Sequence, residues 1–243
     1  MKNFIKLFAI ILALCAQVGC HEKKSTDEIH FGTSADYPPF EYKSMDKIIG
    51  FDIDLASCIA DELGKKAVFH DMSFSSVLPS LQNGTIDAAI STIAVTEKRS
   101  AQYDFSQQYF FEEMFLVFDR KHPVKDDGDL RGKKIACQLG TTMEFWLREN
   151  AKSSEITAMD NNNQAIEAVK AGLMDAVLMD GFQAQIFCEK NNQLGCSFLV
   201  KSGDGYGIAF RKNSPLCGQI NQILHKFTAD GTLEKLAKKW KIR

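Results

Sequence analysis

Charge of one sign is what this sequence most lacks. Its 29 basic residues stand against 31 acidic ones, a formal net charge of −2, so no basic field favours nucleic acid or an anionic membrane surface as partner. The five histidines are scattered and no Cys/His set has zinc spacing, which leaves metal chemistry without support. Neither G-x-x-x-x-G-K-[ST] nor G-x-G-x-x-G occurs, so a nucleotide loop is excluded. The apolar run from Leu7 to Cys15 is too short for a bilayer span.

What is present is ordinary for a soluble globular chain: 243 residues, 45% hydrophobic and 25% charged. That length allows one large domain or two small lobes. Lys2 and Lys6 followed by the short apolar run read as a targeting segment, residues 1–19, for export to the periplasm or the outer face of the cell envelope. Val18-Gly19-Cys20 resembles the end of a bacterial lipobox, which implies a lipid anchor on Cys20. Gln17 stands where that motif usually has Leu, so ordinary cleavage near Gly19 stays open. Residues 20–27 are polar and form a tether. Five cysteines follow, Cys58, Cys137, Cys188, Cys196 and Cys217, an odd number that leaves at least one unpaired. Cys188 and Cys196 flank a polar loop in a compartment that permits disulfides, and a bridge between them is expected.

The chain is organised around Asp87 to Arg99. Ala88-Ala89-Ile90 is a buried strand, Ser91, Thr92 and Ala94 supply small and hydroxyl groups, and Thr96 caps a short helix carrying Arg99. Backbone N–H groups, hydroxyls and one guanidinium thus meet at one edge, suited to a carboxylate. The alternative is a plain strand-to-helix turn with Arg99 in solvent.

Other elements fall on either side. Ile29 and Phe31 alternate into a strand that ends in Ser34-Ala35-Asp36-Tyr37-Pro38-Pro39-Phe40. The prolines present Tyr37 at the strand's C-terminal end, as a site or as support for the turn. Gly50 to Gly64 reads as a helix with Asp52 and Asp54 in its first turn. Two residues apart they do not face each other, so capping explains them better than acid–base catalysis. Phe74 lies in a strand-to-helix loop, as core or as site. After the apolar Met114–Phe118 segment, residues 119–131 are charged and read as a connector. Then Lys134–Cys137 forms a strand, and Gln138-Leu139-Gly140-Thr141-Thr142 turns into a helix whose N-terminus suits an anion or amide. Asp175–Asp180 is a further buried strand, with Asp180 either capping the next helix or meeting an ammonium group. Two C-terminal helices, around Ile220–Phe227 and Leu233–Trp240, are separated by Gly231. The glycine-and-Asp-Ala pattern of 84–91 recurs at 171–178, which points to two α/β lobes of similar build, with ligand beyond the strand ends.

With these segments placed, the chain resembles the extracytoplasmic solute-binding proteins of polar amino-acid ABC transporters. The matching stretches are Gly32–Phe40, Gly50–Leu55, Phe74–Gly84, Asp87–Arg99, Gln138–Thr142, Gly172–Asp180, Tyr206–Phe210 and Asp230–Trp240, in family order. The resemblance implies two α/β lobes joined by two hinge strands that close on ligand. Lobe 1 would be 28–118 plus 207–243 and lobe 2 119–206, with crossings near Phe118 and Tyr206. It implies a monomer that binds a free amino acid, delivers it to a membrane permease and needs no cofactor.

Carried over by residue, the resemblance places the ligand's carboxylate against Arg99, the N–H groups of Thr92 and Ala94, and Thr142 beside Thr141. Its ammonium would meet Asp180 and the Ser91–Thr92 region, with Tyr37 and Phe74 sandwiching the side chain. Ala94 departs from relatives that carry Ser or Thr. Gln138, Ser34, Asp36, Glu41 and Met179 are candidates for selecting the side chain. Acidic groups near Tyr37 favour a basic or neutral polar ligand: arginine, lysine, histidine or glutamine. The competing expectation is an exported enzyme of the same fold, such as a cyclohexadienyl dehydratase, with Glu41 or Asp36 as acid. No paired base or nucleophile stands out, and no catalytic residue is assigned.

Overall fold

A computed structural model describes residues 27–242. The expected leader, Cys20 and most of the tether therefore lie outside the described residues.

The chain begins with β1 (Glu28–Thr33) and a small antiparallel sheet of β2 (Asp36–Tyr37), β3 (Glu41–Ser44) and β4 (Lys47–Ile49). Helix α1 (Phe51–Glu62) and β5 (Lys66–Asp71) follow, then α2 (Phe74–Gln82), β6 (Ala88–Ala89), α3 (Glu97–Ser100) and β7 (Tyr103–Phe105). Next come β8 (Phe110–Asp119), β9 (Lys134–Gln138), α4 (Thr142–Asn150), β10 (Glu155–Met159), α5 (Asn162–Lys170), β11 (Ala176–Asp180), α6 (Gly181–Lys190) and β12 (Leu194–Tyr206). The chain closes with β13 (Ala209–Arg211), α7 (Pro215–Ala229) and α8 (Thr232–Lys239). One five-stranded sheet has the order β5-β1-β6-β13-β7 and the other β10-β9-β11-β8-β12.

Both sheets are covered on both faces, as their continuous apolar strands require. In the first, Phe31, Leu55, Ile59 and Phe210 pack on one side with Ile220 and Leu224 of α7, while Ala89, Val77, Leu81 and Ile86 pack on the other. In the second, neighbours separate by the period of two. Leu116, Ile135 and Leu178 join one cluster; Val117, Ala136 and Val177 join the cluster beneath α5.

The passage between lobes differs from the expectation. Strand β8 pairs with β12 from Phe110↔Tyr206 to Asp119↔Leu194 and with β11 from Met114↔Asp180 to Phe118↔Ala176. Met114–Phe118 therefore belongs to the second lobe, and the first crossing lies between Phe105 and Phe110 rather than near Phe118. The return crossing lies between Tyr206 and Ala209. The composition change at Asp119 marks a strand end and a surface loop; the first crossing, residues 106–109, is a short polar link between two strands.

The expected bridge is likewise corrected. Cys188 and Cys196 are free thiols, in side-chain contact with each other. Burial pushes the Cys188 thiol up to about 12. Folding brings the sulfurs together, but joining them is an oxidation that folding does not supply.

Candidate functional site

The ends of β1, β6, β9 and β11 meet in a cleft between the lobes. Its wall contains Ser34, Asp36, Tyr37, Glu41, Phe74, Ser91, Thr92, Ala94, Arg99, Gln138, Thr141, Thr142, Met179 and Asp180. Every residue singled out in the sequence for ligand contact or selection is thus brought to one place. Met143, Asn162, Leu178 and Tyr206 also line it. Sequence reasoning did not single these four out for ligand contact; Tyr206 was expected only at the lobe crossing.

Arg99 is positioned by α3. Thr96 caps that helix, its Oγ1 accepting from the Arg99 N–H at 3.2 Å. Arg99 is 8% exposed, and its guanidinium donates from Nη1 to the Ala94 carbonyl at 2.8 Å and from Nη2 to the Gly140 carbonyl at 3.0 Å. Gly140 belongs to the second lobe, so Arg99 spans the cleft. It also lies over the Phe74 ring, 5.8 Å from the centroid. The reading of Arg99 as a solvated surface residue is set aside by this burial.

The backbone around Arg99 divides in two. Thr92 takes a left-handed conformation, φ +46°, and its N–H donates to Asp52 Oδ2 at 3.0 Å. That amide is committed inside the protein, which corrects its expected role toward a carboxylate. Ala94 faces Tyr206 in an isolated bridge whose backbone bonds run from Val95 N to Gly205 O and from Gly207 N to Ile93 O. Ala94 lines the cleft, and its N–H takes no part in those bonds. Thr141 caps α4 through Oγ1, which also donates to the Gln138 carbonyl at 2.7 Å. Thr142 opens that helix, where the dipole favours an anion.

Asp180 fills the capping role expected of it and also lines the cleft. Its Oδ1 caps α6 by accepting from the Phe182 N–H at 2.8 Å, while Oδ2 accepts from the Tyr206 hydroxyl at 2.6 Å. It is 4% exposed; burial raises its pKa, and the hydroxyls of Tyr206 and Tyr37 oppose that shift.

Two further carboxylates reverse the capping explanation. Helix α1 is capped by Gly50 without a side-chain bond. Asp52 is wholly buried and accepts from the Tyr109 hydroxyl at 2.9 Å as well as from Thr92. Its neighbour is Glu41, which accepts from Ser91 Oγ at 3.0 Å and Thr92 Oγ1 at 3.3 Å. The two side chains interact directly, and Glu41 Oε2 and Asp52 Oδ1 are buried with no hydrogen-bond partner of their own among the described residues. Burial pushes Asp52 up to about 7 and, aided by the Asp52 charge, raises Glu41 well above the carboxylate range. Two buried carboxyls in contact hold a proton between them. Asp54 points away and takes the Trp240 indole N–H and Lys239, both at 2.6 Å, tying α1 to α8.

Asp36 completes the polar side. Burial raises it to about 6; Ser34 Oγ donates to it at 3.3 Å and Gln138 Nε2, from the other lobe, at 3.4 Å. Met179 reaches the cleft from the core cluster it shares with Val177 and Ala184.

Two α/β lobes with a cleft between them, a buried cation on one side and a buried carboxylate on the other, define the class of two-lobe solute-binding proteins. Residues 29–242 match the bacterial extracellular solute-binding proteins, family 3, and the chain belongs to that family. It is 31% identical over 251 residues to the arginine-binding extracellular protein ArtP of Bacillus subtilis, spanning 99% of this chain and 98% of that protein. It is 34% identical to the glutamine-binding protein GlnH of the same organism, over 97% and 94% of the two chains. The solved structure of an ancestral arginine-binding protein bound to arginine superposes with a TM-score of 0.84 at 38% identity, covering 88% of this chain and 98% of that one. The family acts outside the cytoplasm and serves amino-acid ABC transporters.

Proposed function

We propose that this protein binds a free polar L-amino acid, L-arginine first and L-glutamine second, and delivers it to an ABC importer. The observation that carries this reading is the placement of Arg99 and Asp180 on opposite lobes of one closed cleft. A zwitterion rewards closure from both sides, whereas a ligand with one charge leaves the other group unanswered. Arg99, the Ala94 N–H and the α4 N-terminus suit the α-carboxylate; Asp180 and Ser91 suit the α-ammonium; Tyr37 and Phe74 suit the apolar part of the side chain. Asp36 and Glu41 make the remaining wall rich in acceptors, which favours a guanidinium or carboxamide over a carboxylate. Similarity to the arginine- and glutamine-binding relatives agrees with that preference.

Isothermal titration of the twenty amino acids tests it. Micromolar or tighter binding of L-arginine, with L-glutamate and L-aspartate silent, is the expected result; the reverse order overturns the ligand assignment. A second reading rests on Glu41, a cleft carboxyl whose burial raises its pKa well above the carboxylate range, as a general acid requires. It requires turnover of prephenate or arogenate by the purified protein, and no turnover leaves binding alone.

A further inference from the structure

We propose that Asn162 and Gln183 form a relay, set by contact with the first lobe, that shows the ligand's side chain a hydrogen-bond acceptor and so selects side chains ending in N–H donors. The inference rests on the amino-acid-binding reading above. Asn162 is the first residue of α5 and Gln183 lies in the first turn of α6; they are 5% and 1% exposed. The Asn162 Nδ2 group donates to Gln183 Oε1, and Gln183 Nε2 donates across the cleft to the backbone carbonyl of Asp36 at 3.4 Å. Asn162 lines the cleft, and its Oδ1 is buried with no partner among the described residues.

The direction of both carboxamides follows from their chemistry. An amide side chain can present either its oxygen or its nitrogen, and the choice is fixed by its partners. The Asp36 carbonyl only accepts, so Gln183 must turn Nε2 toward it. Gln183 then offers Oε1 to Asn162, which must answer with Nδ2. Oδ1 is thereby turned to the ligand. Reversing the pair would set Gln183 Oε1 against the Asp36 carbonyl, two acceptors face to face.

The Asp36 end of the relay is on the first lobe and the amides are on the second. Opening the cleft removes the carbonyl that sets the direction, and closure restores it. Discrimination of the side chain is therefore completed in the closed state. A buried acceptor left unanswered is unfavourable, so closure on L-arginine or L-glutamine is favoured over closure on L-glutamate, whose carboxylate has only acceptors to offer.

The test uses calorimetric titration of the whole exported chain with L-arginine, with L-glutamate and L-norvaline measured by competition. Asn162→Leu keeps the volume and removes the acceptor; it is expected to weaken L-arginine about tenfold while L-norvaline stays within about twofold. Gln183→Met frees the Asn162 amide to turn and is expected to lower the arginine-to-glutamate preference about tenfold. Should the leucine variant not fold, Asn162→Asp preserves the shape and places a carboxylate at a helix start, where the dipole favours it. It is expected to raise the arginine-to-glutamate preference at least about tenfold. Unchanged ratios in these variants, or equal losses for L-arginine and L-norvaline, overturn the relay while the amino-acid reading stands. A wild-type protein that binds none of the three overturns both.

Discussion

Arg99 Nη2, on the first lobe, donates to the carbonyl of Gly140, on the second, at 3.0 Å. The residue that suits the ligand's carboxylate is thus also one of the bonds that hold the cleft closed. Arg99→Ala removes both functions, and losing two charge-assisted hydrogen bonds corresponds to about a hundredfold weaker L-arginine binding. Arg99→Lys is expected to recover little of this, because an ammonium lacks the planar fork that reaches both partners. Titration calorimetry reads both variants; wild-type affinity in either contradicts the site.

Asp180→Asn separates the charge of that side chain from its bonds. The carboxamide oxygen still caps α6, so the melting temperature is expected to change little, while ligand affinity falls about tenfold or more through loss of the ammonium's counter-charge. A large loss of stability without loss of binding would mean that Asp180 is only a cap.

The Glu41–Asp52 pair and Asp36 make stability depend on pH. All three have folded pKa values raised above those of the unfolded chain, Asp36 to about 6 and Asp52 to about 7 from 3.8. The folded state holds these protons more tightly, so their penalty is absent below about pH 4, grows as pH rises and is complete for Asp52 above about pH 7. Urea midpoints are expected to fall from pH 5 to pH 8, and Glu41→Gln, which uncouples the pair, is expected to flatten that fall. Equal slopes in the two proteins would show that the pair carries no such proton.

Arginine binding should also move a proton. A guanidinium beside Asp36 favours its ionised form, so near pH 6, where Asp36 is part-protonated, L-arginine is expected to release protons and neutral L-glutamine fewer. Titrations in buffers of different ionisation enthalpy measure the release; equal values for the two ligands place the guanidinium away from Asp36.

Cys188 and Cys196 give a redox prediction. Mild oxidation is expected to join them, and closing that short loop stabilises by about 2.5 kcal/mol on the chain-entropy model. Thermal melts with and without dithiothreitol show the shift, which Cys196→Ser abolishes. No shift in the oxidised wild type would mean that the strand and helix cannot adopt bridge geometry.

Much of this molecule is written in short stretches of sequence. Apolar runs such as Ala88-Ala89-Ile90 and Asp175–Asp180 place buried strands, and Thr96 and Thr141 cap the helices expected of them, because strand burial and helix capping depend on residues a few positions apart. The same stretches, with the family resemblance, placed the cleft-wall residues from Ser34 to Asp180. What the sequence could not say is which partner each group takes. The Thr92 amide is engaged by Asp52, 40 residues away, and the polarity of Asn162 is set through Gln183 by a carbonyl 147 residues from that glutamine. The hinge also eluded reading, since links of four and two residues between strands look like any short turn until the strands on either side are seen to join different sheets. Such facts depend on which surfaces meet across the cleft, and only the folded chain brings those surfaces together.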